Sequence, residues 1–162
     1  MAKKKNVKTK ANKLRLANAV QILKGFTTGL NSDDVISFTD LYQVNNSSSP
    51  ITFTLQFNNI GVGATTDAVL HDVHSGDVIK ADKARDSLIN IPVDTNKNVD
   101  GKFLNIKSEV TATSLTPVPD DLKVAFSISG GTENKNFILP DAKFESSGNS
   151  IFIDISIFFF HI

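Results

Sequence analysis

Residues 51–58, ITFTLQFN, carry the clearest structural signal in the chain, because apolar and polar side chains alternate along them without a break. In an extended strand, successive side chains point to opposite faces of the sheet. The stretch therefore predicts a half-buried strand with one apolar face. Similar alternation occurs on both sides of it along the 162-residue chain.

Eight further stretches have the composition or alternation of strands. Three are strong, at residues 36–44, 104–112 and 122–128, four are weaker, at residues 66–73, 77–81, 88–93 and 136–139, and the eighth is the last stretch, residues 151–162. Pro92 favours an edge position for its stretch, since proline cannot donate a ladder hydrogen bond. Turn-forming residues separate the stretches, and no helical pattern of any length follows Gly25. This spacing is typical of an antiparallel β-sandwich, a jelly roll or a small barrel.

The last strand-like stretch, residues 151–162, becomes apolar on both faces from Ile157 onward. Such a run must be covered on both sides, either by its own fold or by another chain. We predict a subunit interface at Phe158, Phe159, Phe160 and Ile162. The alternative is a central core strand of the monomer.

The formal net charge of zero conceals a division of the chain into a basic and an acidic part. The first 32 residues hold eight of the 17 basic residues and no acid, which gives +8. The remaining nine basic residues stand against all 17 acidic ones, which gives −8. This asymmetry predicts a basic N-terminal arm, residues 1–32, and a β-sandwich domain, residues 33–162.

The arm has a polar, lysine-rich start and then a short amphipathic helix from about Ala11 to Lys24, which Gly25 ends. A segment of this charge is attracted to phosphate or to anionic lipid. Its alternatives are a solubilising tail and an arm that pairs with the acidic body of a neighbouring copy. The predicted contacts to nucleic acid or membrane are Lys3, Lys4, Lys5, Lys8, Lys10, Lys13 and Arg15.

The chain carries little sign of catalytic chemistry. It has no cysteine, which excludes disulfides, thiolate zinc sites and a cysteine nucleophile. His71 and His74 stand three apart, which places them on opposite faces of a strand and argues against a joint metal site. No motif for a nucleophilic serine, a phosphate loop or a dinucleotide appears. We predict a protein that is not an enzyme and has no cofactor, metal site or small-molecule substrate.

Residues 94–101 deserve a separate interpretation, because Asp94, Asn96, Asn98 and Asp100 alternate before Gly101. Calcium loops have such oxygen-rich spacing. Here, however, Val99 stands at the position that needs glycine, and Asn105 stands at the position of the bidentate glutamate. The pattern favours a polar hairpin loop over a calcium site.

A basic arm followed by an eight-stranded β-body resembles single jelly-roll viral capsid proteins, including the smaller penton proteins at icosahedral vertices. The resemblance covers the layout of the whole chain. It implies an all-β, eight-stranded antiparallel jelly roll and a virion structural protein, such as that of a bacteriophage, assembled in the host cytoplasm. It also implies a homo-oligomer, with a pentamer as the vertex form, that contacts other capsid subunits. The alternative is a β-sandwich module that binds a carbohydrate or protein ligand, as in a phage tail or a cytoplasmic adaptor.

Overall fold

The computed structural model of the chain describes residues 35–57, 62–85, 87–112, 118, 122–139 and 150–162. The predicted basic arm, with its helix and its lysine contacts, lies outside these residues. The division of the chain into an arm and a sandwich domain therefore stays a prediction.

Nine strands and one helical turn make up the described chain. In chain order they are β1 (Val35–Gln43), β2 (Pro50–Phe57), β3 (Val62–Asp72), β4 (Val78–Arg85), β5 (Leu88–Thr95), α1 (Asn96–Val99), β6 (Lys102–Ala112), β7 (Val124–Ser129), β8 (Lys135–Leu139) and β9 (Ser150–Phe160). Each strand corresponds to a stretch that the sequence pattern marked as strand-like.

The strands form two sheets that pack face to face around one core. The five-stranded sheet has the order β1-β9-β6-β3-β4, and the four-stranded sheet has the order β5-β2-β7-β8. The alternating apolar side chains of β2, Ile51, Phe53 and Leu55, are buried in this core as predicted. The edge position of β5, which contains Pro92, is also confirmed. The predicted all-β sandwich is therefore correct in its class.

The number and the direction of the strands differ from the prediction of eight antiparallel strands. The described chain has nine, and β1 runs parallel to β9, from Val35 beside Phe152 to Gln43 beside Phe160. The five-stranded sheet is therefore mixed. Alternation shows which face a side chain takes, but it contains no information on the direction or the partner of its strand.

The polar loop after β5 is a crossover and not the predicted hairpin. Because β5 belongs to the four-stranded sheet and β6 to the five-stranded sheet, residues 96–101 carry the chain from one sheet to the other. The helical turn α1 buries Asn96 and Val99. Gly101 then adopts a φ of 76°, which glycine tolerates better than any other residue.

A lysine joins the two sheets at each side of the sandwich. The Lys135 Nζ atom on β8 donates to Asp40 Oδ2 and to the Leu41 carbonyl oxygen on β1, both at 2.8 Å. On the opposite side, the Lys80 Nζ atom on β4 donates to the carbonyl oxygen of Pro92 on β5. Asp40 interrupts the apolar face of β1 because it lies at the side where β1 meets β8 and pairs with Lys135.

Candidate interaction surfaces

The predicted interface residues at the end of β9 occupy different environments. Phe159 points into the core, where its ring lies 6.1 Å from the ring of Tyr42 in an edge-to-face arrangement. Phe158 is buried on the outer face of the sheet, Phe160 is half-buried and Ile162 is 73% exposed. The burial of Phe158 and Phe159 within one chain requires no partner. Only Phe160 and Ile162 offer appreciable surface to one, and the interface stays a prediction.

Phe158 belongs to a row of side chains that crosses the outer face of the five-stranded sheet. The strand register places Leu41, Phe158, Phe103 and His71 side by side on four neighbouring strands. The His71 ring stacks on Phe103, with centroids 4.7 Å apart and planes 13° apart. Phe103 and Phe158 thus form the centre of a second, small hydrophobic cluster outside the main core.

His71 and His74 have separate surroundings. His71 lies in the stack with Phe103, whereas His74 is exposed in the turn after β3. The backbone N–H groups of His74 and Ser75 donate to Asp72 Oδ1, at 2.8 and 3.1 Å, and these bonds lower the pKa of the Asp72 carboxyl. Among the described residues, no group of three or more histidine or acidic side chains could hold a metal ion.

The oxygen-rich residues of the crossover do not converge on a common point. Asp94 Oδ1 accepts from the backbone N–H of Thr95 at 2.6 Å and from Asn98 Nδ2 at 2.9 Å. Asp100 Oδ1 accepts from the backbone N–H of His161 at 2.9 Å. Asp94 stabilises the local turn, and Asp100 binds the residue after β9. These bonds explain the alternation of oxygen-bearing residues without a bound ion.

Asn96 is fully buried and is bonded to two other segments at this end of the sandwich, the connection between β1 and β2 and the turn after β7. Its Nδ2 atom donates to the carbonyl oxygens of Ser49 and Gly130, at 3.0 and 2.7 Å, and its Oδ1 atom accepts from the backbone N–H of Asn45 at 3.1 Å. We call Asn96 and these three partners the loop network. Sequence reasoning missed it, because an asparagine in a polar loop has the same appearance whether it is buried or exposed.

Tyr42 forms a second connection at the same end. Its hydroxyl donates to the Glu133 carbonyl oxygen at 2.6 Å and accepts from the Gly131 N–H at 3.0 Å. A Cβ atom on Gly131 would lie 2.5 Å from the Tyr42 ring, so this close approach requires glycine. Thr132 also donates to the Gln43 carbonyl oxygen, from its backbone N–H at 3.1 Å. The turn between β7 and β8 is therefore bonded to the end of β1.

The outer faces of the two sheets differ in charge. On the five-stranded sheet, the register places Asp154, Lys107 and Asp67 in one row across three strands. On the four-stranded sheet, the outward positions of β2, β7 and β8 are all uncharged: Pro50, Thr52, Thr54, Gln56, Ala125, Ser127, Ser129, Asn136 and Ile138. Hydroxyl pairs such as Thr52 and Ser129, at 3.0 Å, occupy this face.

The chain thus has the architecture of a mixed, two-sheet β-sandwich. Comparison with protein families, with curated proteins and with solved structures finds no match for it. Within the described residues, no helix has the length and apolarity needed to cross a bilayer. Any functional conclusion must therefore come from the surfaces and the charges of the chain itself.

Proposed function

We propose that the chain is a non-enzymatic virion structural protein, a capsid or vertex subunit that assembles through its β-sandwich body. In this proposal the basic arm contacts the genome, an internal membrane or neighbouring subunits. Its contacts are Lys3, Lys4, Lys5, Lys8, Lys10, Lys13 and Arg15. The partners are further copies of the chain and other capsid subunits, and the location is the virion, assembled in the host cytoplasm.

The observation that carries the proposal is the division of charge, +8 in residues 1–32 and −8 in the rest of the chain. Opposite charges on the two parts of one chain make separate copies attract each other, and they also make the arm attractive to polyanions. The side chains of Phe152 and Ile162, which are 46% and 73% exposed, are consistent with the proposal because they offer apolar surface to another molecule.

The fold supports the proposal in a coarse form only. Two packed sheets of short strands are the architecture of jelly-roll subunits, but the parallel pair of β1 and β9 departs from an all-antiparallel jelly roll. The jelly-roll assignment is therefore part of the proposal.

The first test compares the wild-type chain with a variant in which the seven named arm residues are replaced by glutamine. Wild-type chain should bind single-stranded DNA or anionic vesicles with an affinity that falls as salt rises. The glutamine variant should bind about a hundredfold more weakly at low salt, since most of the counterion release is lost. Which of the two probes responds distinguishes a genome contact from a membrane contact.

The matched control exchanges lysine for arginine, and Arg15 for lysine, at the same seven positions, which retains the charge. This control should bind like wild type, and electron microscopy of the wild-type chain with its shell partners should show closed particles. A chain that binds neither probe and forms no particles under any salt condition would contradict the proposed function.

A further inference from the structure

The four outer edges of the two sheets differ in how well they are protected against pairing with another strand. β5 has an exposed proline, Pro92, and an irregular position at Asn90, where φ is 52°. β8 is only five residues long, and β4 contains Lys80, Lys83 and Arg85 in its sequence. Prolines, irregular positions, shortness and basic residues are the devices with which proteins prevent edge-to-edge association.

β1 has none of these devices. Its nine residues pair with β9 in an unbroken register, without a bulge, and they include no proline, lysine or arginine. Its one charged residue, Asp40, lies on the inward face, where a charge can protect an edge, but it stands beyond residues 35–39 and is paired with Lys135. β9 is the only described strand that pairs with β1. The second edge of β1 therefore faces no strand in the described part of the chain.

The hydrogen bonds at the end of β1 show which backbone groups point to that second edge. The Leu41 and Gln43 carbonyl oxygens accept from Lys135 and Thr132, which lie on the side away from β9. Because backbone groups alternate between the two sides of a strand, the N–H and C=O groups of Val35, Ser37 and Thr39 also point away from β9. No described hydrogen bond occupies them, so residues 35–39 form an open half of β1.

We propose that the open half of β1 pairs antiparallel with the same segment of a second copy of this chain, about a two-fold axis at Ser37. This inference deepens the proposed function, on which it rests, by naming one contact between copies. The pairing would join two five-stranded sheets into one continuous ten-stranded sheet. In this register each outward-pointing backbone group of residues 35, 37 and 39 finds a partner.

The segment is complementary to itself. Around an axis at Ser37, Val35 lies opposite Thr39 of the second copy, and Ile36 lies opposite Phe38, so apolar side chains meet on the core face. Residues 35–39 contain no charged residue, so no like charges lie opposite each other within this segment. Phe152, which is 46% exposed and lies beside Val35 in the register, adds apolar surface next to the contact.

Charge complementarity between copies favours a second copy over an unrelated partner. Only Asp33 and Asp34 separate the basic residues 1–32 from β1, and in the antiparallel pair the start of β1 lies beside Thr39 of the second copy. A segment of charge +8 is thereby brought to a body of charge −8. The two-fold axis repeats this attraction, once for each copy.

The experiment uses the full chain in sedimentation equilibrium, in about 0.3 M salt so that attraction by the arm is largely screened. Ser37→Lys and Ser37→Asp each place two like charges opposite each other at the axis. Each should raise the dimer dissociation constant at least about tenfold. An equimolar mixture of the two variants should recover association as a heterodimer, because lysine then faces aspartate. Asn136→Lys on the outer face of β8 is the matched control and should leave the dissociation constant unchanged.

Because Ser37 is exposed in the single chain, neither substitution should prevent folding. Recovery of association in the mixture would confirm that both variants are folded. Equal weakening by Asn136→Lys, or a mixture that stays as monomeric as its components, would overturn the proposed contact. A wild-type chain that remains monomeric would overturn it as well. Particle formation in the experiment on the arm would then decide separately whether the proposed function stands.

Discussion

The two halves of β1 belong to one strand but have very different neighbours. At residues 41–43, the strand is bonded to β9 on one side and to Lys135, Gly131 and Thr132 on the other. At residues 35–39, it is bonded to β9 alone within the described chain. The first half closes the sandwich, whereas the second half has a row of backbone groups with no partner among the described residues.

In the proposed contact, one strand serves both stability and association. Residues 41–43, the bonded half of β1, and the loop network fix the end of the sandwich at which β1, β7 and α1 meet. The open half contributes its inward side chains Ile36 and Phe38 to the core, and no described strand covers its outer edge. Substitutions in the two halves should therefore differ in size and in kind.

The largest effect should come from Asn96→Ala, next to the bonded half. The substitution removes three hydrogen bonds of a fully buried side chain and leaves backbone groups of Asn45, Ser49 and Gly130 with fewer partners. We expect a loss of about 3 kcal/mol in the free energy of unfolding, measured by urea denaturation. The control is Asn98→Ala, in the same turn but exposed, which should cost less than about 1 kcal/mol. Equal losses in both variants would show that the loop network does not stabilise the fold.

A smaller effect is expected for Tyr42→Phe within the bonded half. This change keeps the ring in the core but removes the hydroxyl that joins Glu133 and Gly131. We expect a loss of about 1–2 kcal/mol in the free energy of unfolding near neutral pH.

The same variant should change the dependence of stability on alkaline pH. Burial raises the pKa of Tyr42 above its ordinary value, so the folded state favours the protonated phenol. This contribution is fully present below the pKa of the unfolded chain, about 10, and is lost as pH rises through the higher folded value. Tyr42 is the only tyrosine, so tyrosinate absorbance follows its titration directly. A tyrosine that titrates at its ordinary value in the folded chain would contradict the assignment.

The smallest effect is expected in the open half. Thr39→Ala should change the free energy of unfolding of the single chain by no more than about 0.5 kcal/mol, since Thr39 is exposed. Amide hydrogen exchange should be faster at Ser37 and Thr39 than at Ile36 and Phe38, whose N–H groups point to β9. Raising the protein concentration should slow exchange at Ser37 and Thr39. Exchange that is slow at all four positions in dilute protein would show that something else already covers this edge.

The sequence predicts the strands well, because burial of one face leaves a period of two in the order of side chains. Residues 51–57 are the best example, and Asp40 interrupts the pattern of β1 only where Lys135 meets it. The parallel pairing of β1 and β9 could not be predicted in this way, since alternation is the same in both directions. The pattern also could not show whether the double apolar run around Phe158 and Phe159 is buried by its own chain.

The surfaces were harder to predict than the strands. The loop network depends on Asn96, whose polar neighbours in the sequence are typical of an exposed turn, and its partners come from distant loops. The basic arm is predicted from charge alone and stays a prediction, because it lies outside the described residues. The open half of β1 could not be predicted, because it depends on the order of the strands in both sheets.

The parallel pair also has a consequence for the folding reaction. β9 is an internal strand of its sheet, between β1 and β6, although seven strands separate it from β1 along the chain. β1 cannot form its ladder until β9 is in place, so a long loop must be closed before this pairing contributes any free energy. Refolding should accordingly be slow, and in the interval β1 would remain available to the wrong neighbour.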